Sequence, residues 1–243
     1  MSGFAYGKDA DFKGFIASGF SSVVAHRDPD ADAIDFFPTG PWGGRAGGEL
    51  VKWIDPRARS AWEPACGAGH MVHALGDYFN RVFASDAYLY DDNRLFDFVE
   101  GRDEDAPFTA DWIITNPPFS RAEDFARIGY RRARRGVALL CRLSFEETQG
   151  RYDLHHGDMP LAVKATFAER LAMVKGRYDP DVSSAAAYAW FVWIKPEVQT
   201  PIARLARRVR ELSDCALARG IPPGTEERLS RPSDLAFAAR RAA

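Results

Sequence analysis

The segment Ser60-Ala61-Trp62-Glu63-Pro64-Ala65-Cys66-Gly67-Ala68-Gly69-His70 runs from apolar residues into a glycine turn and then into helix-compatible residues. With Arg81-Val82-Phe83-Ala84-Ser85-Asp86 it predicts a strand at about 60–65, a helix at about 69–79 and a second strand at about 81–86. Gly67 and Gly69 permit a tight turn whose backbone lies flat against a ligand, because no Cβ intervenes. The helix that follows presents unpaired N–H groups and a positive dipole end to a carboxylate or phosphate. Asp86 stands seventeen residues beyond Gly69, at the end of the second strand, where an acid accepts from two ribose hydroxyls. As a purely structural residue, Asp86 would cap a following helix instead. A bare G-x-G occurs in many surface turns. Strand, turn, helix, strand and terminal acid in this order make a nucleoside-binding crevice, with Glu63, Ala65, Gly67, Gly69 and Asp86 as candidates. The missing third glycine disfavours a dinucleotide.

Outward from this unit, short apolar runs alternate with helical stretches, the pattern of a doubly wound α/β sheet. Asp111–Thr115 reads as a buried central strand, as does Val137–Leu143, and Ala187–Ile194 is a β-prone strand ended by Pro196. Helices are predicted over about 120–134 and 200–219, the latter with Pro201 at its start and Gly220 just past its end. Residues 87–110 are loop-rich, with a short strand or turn within Leu95–Val99. Three regions follow. An aromatic-bearing N-terminal arm spans 1–34, and the main domain spans 35–196 with a small recognition insertion at 144–185. A helical C-terminal extension covers 197–243, its residues from 221 reading as peripheral.

Asn116-Pro117-Pro118-Phe119 directly follows the apolar strand 111–115. In a doubly wound sheet the carboxyl ends of the central strands face the ligand crevice, so this motif belongs beside the cofactor turn. Pro117 holds Asn116 extended and fixes its own φ, and neither proline offers a competing N–H. The product is a rigid ledge of acceptors, the Asn116 side-chain oxygen and the Pro117 carbonyl. A nucleobase or amide –NH2 is a poor nucleophile because its lone pair is delocalised. Two acceptors binding its two hydrogens favour the pyramidal nitrogen, whose lone pair is free to attack. Phe119 supplies a π face for a planar base, worth ~1–3 kcal/mol per base. The structural reading of the same residues is a Pro-Pro turn ending a strand.

The pair Glu63–Gly69 and Asn116–Phe119, in that order and about 50 residues apart, resembles the amino-methyltransferases, particularly the small phage- and prophage-type DNA adenine methyltransferases. The likeness extends across most of 35–195. It implies a Rossmann-like class I methyltransferase fold, a seven-stranded, mostly parallel sheet with helices on both faces, carrying S-adenosylmethionine over its first two strands. It further implies adenine N6 in double-stranded DNA as the target, with the base flipped out of the helix. Catalysis would rest on Asn116, Pro117 and Phe119, and Asn116 would also border the cofactor. Phe37-Pro38-Thr39 resembles the segment that closes over the methionine end of the cofactor, although Gly40 stands where the family often has Pro. Asp97 and Phe98 resemble the contacts to the adenine ring of the cofactor. Pro118, and Trp190 within Trp190-Phe191-Val192-Trp193, resemble the border of the target-base pocket. A leading Ser in place of Asn116 would have suggested cytosine N4.

Composition is that of a folded domain, 46% hydrophobic and 27% charged, and no apolar run approaches a membrane span. No signal peptide is read at the N-terminus, and three widely spaced cysteines (Cys66, Cys141, Cys215) read as free thiols in a reducing cytoplasm. No metal site is expected; His155-His156 lacks companion ligands and reads as surface histidine. The net charge of −2 divides into −9 over residues 1–120 and +7 over 121–243. That is not the uniform basicity of a general polyanion binder. Arg127, Arg131, Arg134 and Arg135 share a helix face, but that helix runs away from the crevice, so a solvated face is the preferred reading. The same ledge would serve RNA adenine or a protein glutamine, and a catalytically silent cofactor- or nucleic-acid-binding module is the alternative from another class. Oligomeric state stays open.

Overall fold

Where the sequence carries continuous apolar runs, the computed structural model carries buried strands. It describes residues 37–90, 93–182 and 186–238; the expected arm at 1–34 lies outside them. The strands are β1 (Ser60–Glu63), β2 (Arg81–Asp86), β3 (Arg94–Leu95), β4 (Trp112–Thr115), β5 (Gly136–Arg142), β6 (Val163–Phe167), β7 (Tyr188–Ile194) and β8 (Leu217–Ile221). They form one sheet in the order β3-β2-β1-β4-β5-β7-β6-β8. The expectation of seven mostly parallel strands is corrected on both counts: the sheet has eight and is mixed. β7 runs antiparallel to both neighbours, β5 and β6. The added strand is β8, which pairs in parallel with β6 at the sheet edge. Its exposed and half-buried residues alternate up to buried Ile221, and residues 217–219 belong to it and not to the helix expected over 200–219, which ends at Ser213.

Helix α1 (Pro41–Ile54), α2 (His70–Leu75), α5 (Pro201–Ser213) and α6 (Thr225–Leu229) cover one face. There Ala138 and Leu140 of β5 meet Trp190 and Val192 of β7. Helix α3 (Ala122–Arg132) and α4 (Tyr152–His156) cover the other, over Val137, Leu139, Cys141, Phe191 and Trp193. Alternate residues of the same strands feed opposite cores, so the central strands are apolar throughout. A short α7 (Leu235–Ala238) ends the described chain.

Two expected regions take on sheet duties. The segment 144–185 contains β6, a core strand, and the extension from 197 contains α5 and then β8. Residues beyond 221 are not all peripheral: Leu229, Asp234 and Phe237 are buried.

Candidate active site

Sheet order reverses between β1 and β4, where the chain leaves β1 towards β2 on one side and β4 towards β5 on the other. This is the switch point at which a doubly wound sheet opens a crevice beyond its carboxyl ends. The glycine turn after β1 and the Asn-Pro-Pro-Phe segment after β4 flank it. They line one cavity of about 240 Å³, just below the usual range of small-molecule sites. Every expected site residue except Gly69 and Trp190 borders it.

The turn is held from both sides. Gly67 and Gly69 adopt φ of 49° and 85°, the left-handed region that favours glycine. Gly67 N–H donates to Asp86 Oδ2 at 2.9 Å, and Tyr88 N–H donates to Oδ1 at 3.0 Å. Asp86 therefore clamps the turn to the end of β2, and no helix follows for it to cap. Burial pushes its carboxyl up to about 6, against the backbone N–H groups that favour the charge. Glu63 is 1% exposed. Burial raises it to about 8, opposed by Thr115 and by the N–H groups of Ala65 and Asn116. Gly69 shapes the turn from outside the cavity, as the residue preceding α2.

At the far wall, Thr39 is buried just before α1. Asp97 is exposed, and its Oδ1 accepts from the N–H groups of Val99 and Glu100, both at 2.9 Å. Phe98 borders the cavity at only 1% exposure. Its ring is committed to Trp62 (5.2 Å) and Phe125 (4.9 Å) in the core.

The ledge after β4 is the best defined part. Asn116 Nδ2 donates to the Phe37 carbonyl at 2.7 Å. That carbonyl can only accept, so the amide is oriented and its oxygen faces away. Asn116 Oδ1 is buried without a hydrogen-bond partner among the described residues. The Pro118 carbonyl is taken by Arg121 N–H at 2.9 Å, leaving Oδ1 and the Pro117 carbonyl as the acceptors on offer. The Phe119 ring lies 5.2 Å from Phe37 and 6.2 Å from Tyr188.

Trp190, expected at the border of the target-base pocket, does not line the cavity. It is 0% exposed and packs beneath α1, where a Cβ on Gly47 would fall 2.3 Å from its ring. β7 is antiparallel, so its first residue, Tyr188, lies level with the end of β5 at Arg142, while Trp190 pairs lower down with Leu140. Tyr188 is the aromatic of β7 that reaches Phe119. Strand direction, absent from the local pattern, decides which it is. Also unassigned from sequence were His70, Tyr90 and Arg121, all on the cavity wall. His70 packs against Phe237 (4.8 Å) from the end of the described chain.

Among the described residues no group of three or more His, Cys, Asp or Glu is placed to hold a metal. No described helix is long and apolar enough to cross a membrane. Cys66 and Cys141 are buried, and burial pushes both thiols up. The arginines of and after α3 are consumed in ion pairs: Arg127 with Glu123, Arg131 with Asp103, Arg134 with Asp111, Arg135 with Asp55.

The sequence matches no protein-family model and no curated protein. Solved structures similar to the chain include the methyltransferase subunit of a type I restriction-modification system from Streptococcus thermophilus, at 10% identity and a TM-score of 0.43. That match covers 65% of this chain and 44% of the subunit, so the chain spans less than half its length. Magnesium protoporphyrin IX methyltransferase from Synechocystis, with bound S-adenosylmethionine, is 12% identical with a TM-score of 0.42, covering 63% of this chain and 80% of that one. An S-adenosylmethionine-dependent O-methyltransferase from Thermotoga maritima is 13% identical with a TM-score of 0.39, covering 61% and 64%. These are distant likenesses. The chemistry assigned to this chain rests on its own residues.

Proposed function

We propose that this chain is an S-adenosylmethionine-dependent methyltransferase acting on the exocyclic N6 amine of adenine in DNA. The observation that carries the reading is the Asn116 carboxamide, with its nitrogen anchored on Phe37 and its oxygen buried and unpartnered on the cavity wall. Leaving a buried acceptor open costs about 1–3 kcal/mol, which a hydrogen of a bound amine relieves. Choice of adenine and of DNA is supported by the resemblance of the Asn116–Phe119 motif and its spacing from the glycine turn.

The cavity fits the cofactor by its donor set. Gly67, in the left-handed region, puts no Cβ between backbone and ligand, and Asp86 and Asp97 offer carboxylate oxygens to hydroxyl and amino groups. Thr39, Glu63, Ala65, Gly67, Asp86, Asp97 and Phe98 would hold S-adenosylmethionine, with Asn116 at its border. When bound, the cofactor supplies an electrophilic methyl group. Asn116 Oδ1 and the Pro117 carbonyl accept the two amine hydrogens and hold the nitrogen pyramidal, its lone pair turned towards the cavity. Pro118 and Phe119 border the base, and a base must leave its stack to reach a ledge buried this far. Positioning carries the catalysis, and no general base is invoked.

Tritiated methyl transfer offered in parallel to duplex DNA, RNA and protein tests the reading. Label in DNA, recovered as N6-methyladenine, is expected. Asn116→Ala should lower transfer by ~10²–10³-fold, the loss typical of one preorganised hydrogen-bonding group, while cofactor affinity survives. Normal methylation by that variant would rule out the ledge mechanism, and label confined to RNA or protein would rule out the DNA substrate.

A further inference from the structure

Arg142 ends β5, the strand beside the ledge, at the rim of the same crevice. Its guanidinium carbon lies 4.5 Å from the centroid of the Phe119 ring, and the residue is exposed. Its guanidinium makes no hydrogen bond or ion pair among the described residues. Neighbouring cations along this rim are tied down. Arg121 is held by Glu100 and Asp124, both at 2.8 Å. Arg151 donates to the Phe145 carbonyl at 2.9 Å, and Lys164 is paired with Glu146. A guanidinium resting on an aromatic face loses rotamer freedom yet keeps its N–H edge open, the arrangement that receives a phosphate bidentately. A carboxamide on a peptide is accompanied by an anion only where an Asp or Glu happens to flank it, whereas every nucleotide of a polynucleotide entering the cavity brings its own phosphate.

We propose that Arg142 binds a backbone phosphate next to the target nucleotide and thereby selects a polynucleotide over a peptide. This rests on the methyltransferase reading of the same site. It locates the recognition charge on the rim of the crevice, away from the paired arginines of α3. Arg142 acts on the base only through Phe119 and the phosphate, so it is a positioning residue.

The test is the salt dependence of binding to a duplex DNA of mixed sequence, with RNA of the same sequence in parallel. Each phosphate contact contributes about 0.9 to the slope of log affinity against log salt on duplex DNA. Arg142→Gln should therefore flatten the slope by ~0.9 and weaken binding ~8-fold at 0.1 M salt, the deficit shrinking towards 1 M. Arg142→Lys keeps the charge and should restore the slope. Cofactor affinity, measured on the same preparations, should be unaltered in both variants. An unchanged slope in Arg142→Gln, with DNA still methylated by the parent, overturns this inference and leaves the function standing. Weakened cofactor binding with an unchanged slope reduces Arg142 to packing on Phe119 and also overturns it. Transfer to peptide alone overturns function and inference together. Transfer to RNA alone overturns only the DNA substrate, and the slope on that RNA then decides the arginine.

Discussion

Glu63 carries the clearest electrostatic signature of any single residue at the site. Burial raises its carboxyl from the ordinary 4.5 to about 8. Between those two values the folded chain keeps a proton that the unfolded chain has released, so stability declines as pH rises through that window. Removing the ionisable group should suppress that decline. Calorimetric melting of the ligand-free protein should show Glu63→Gln gaining on the parent from pH 4.5 to 8 and running parallel above it. Profiles that stay parallel throughout would mean that Glu63 is ionised in the fold. Glu63, Gly67, Asp86 and Asn116, which border one cavity, were all legible as candidates, because each is marked by its own backbone chemistry or its place at a strand end. The orientation of the Asn116 amide was not. It depends on the Phe37 carbonyl, 79 residues away in the chain.

Among the elements, α1 shows tertiary packing overruling local preference. It holds Gly43, Gly44, Gly47 and Gly48 in fourteen residues, and each glycine weakens a helix by about 0.8–1 kcal/mol relative to alanine. Nothing in that composition announces a helix. The glycines let neighbours come close: a Cβ on Gly47 would meet the Trp190 ring at 2.3 Å, and one on Gly48 would meet Tyr78 at 2.5 Å. Gly47→Ala should therefore destabilise the protein by about 1–3 kcal/mol, as overpacked cores do, despite alanine's better helix propensity. Urea unfolding decides the sign, and a gain in stability would mean that the indole yields freely. Because α1 begins at Pro41, two residues after Thr39, the same substitution tests whether its seat on Trp190 also positions the cavity wall.

Across the whole molecule, Arg45 ties the last described elements to the first. It is 1% exposed. Its Nε donates to Asp77 at 2.6 Å, and Nη1 and Nη2 donate to Asp234 at 2.7 and 3.0 Å. Nη1 also donates to the Leu229 carbonyl at 3.0 Å. Burial works against the guanidinium's charge, but Asp234 and Asp77 overcome it and hold its pKa above the usual value. Arg45→Met would strip buried Asp234 of its guanidinium, leaving it, among the described residues, only the Arg231 N–H at 2.8 Å and His73 at 3.7 Å, a loss of about 3–5 kcal/mol in stability. Arg45→Met with Asp234→Leu should recover much of it, since a buried ion pair replaced whole by apolar groups is often neutral. Denaturant midpoints of the two variants test this, and equal losses in both would mean that no coupling joins them. Phe237, carried by the same clamped segment, rests on His70 at the cavity wall. The single variant should accordingly also weaken cofactor binding.

Local chemistry sufficed for the turn after β1, the acid at the end of β2 and the ledge after β4. Left-handed glycines and φ-locked prolines act over a few residues, and a doubly wound sheet brings strand ends together whatever else surrounds them. The direction of β7, the eighth strand, the glycine-rich α1 and the Arg45 clamp came from the folded chain alone. Each is a contact between residues far apart in sequence, and nothing in the local pattern encodes its partner. The ledge proposed to bind an amine was therefore readable from four consecutive residues. That Tyr188 and not Trp190 lies beside it was not, because this turns on the direction in which a strand about 70 residues downstream enters the sheet.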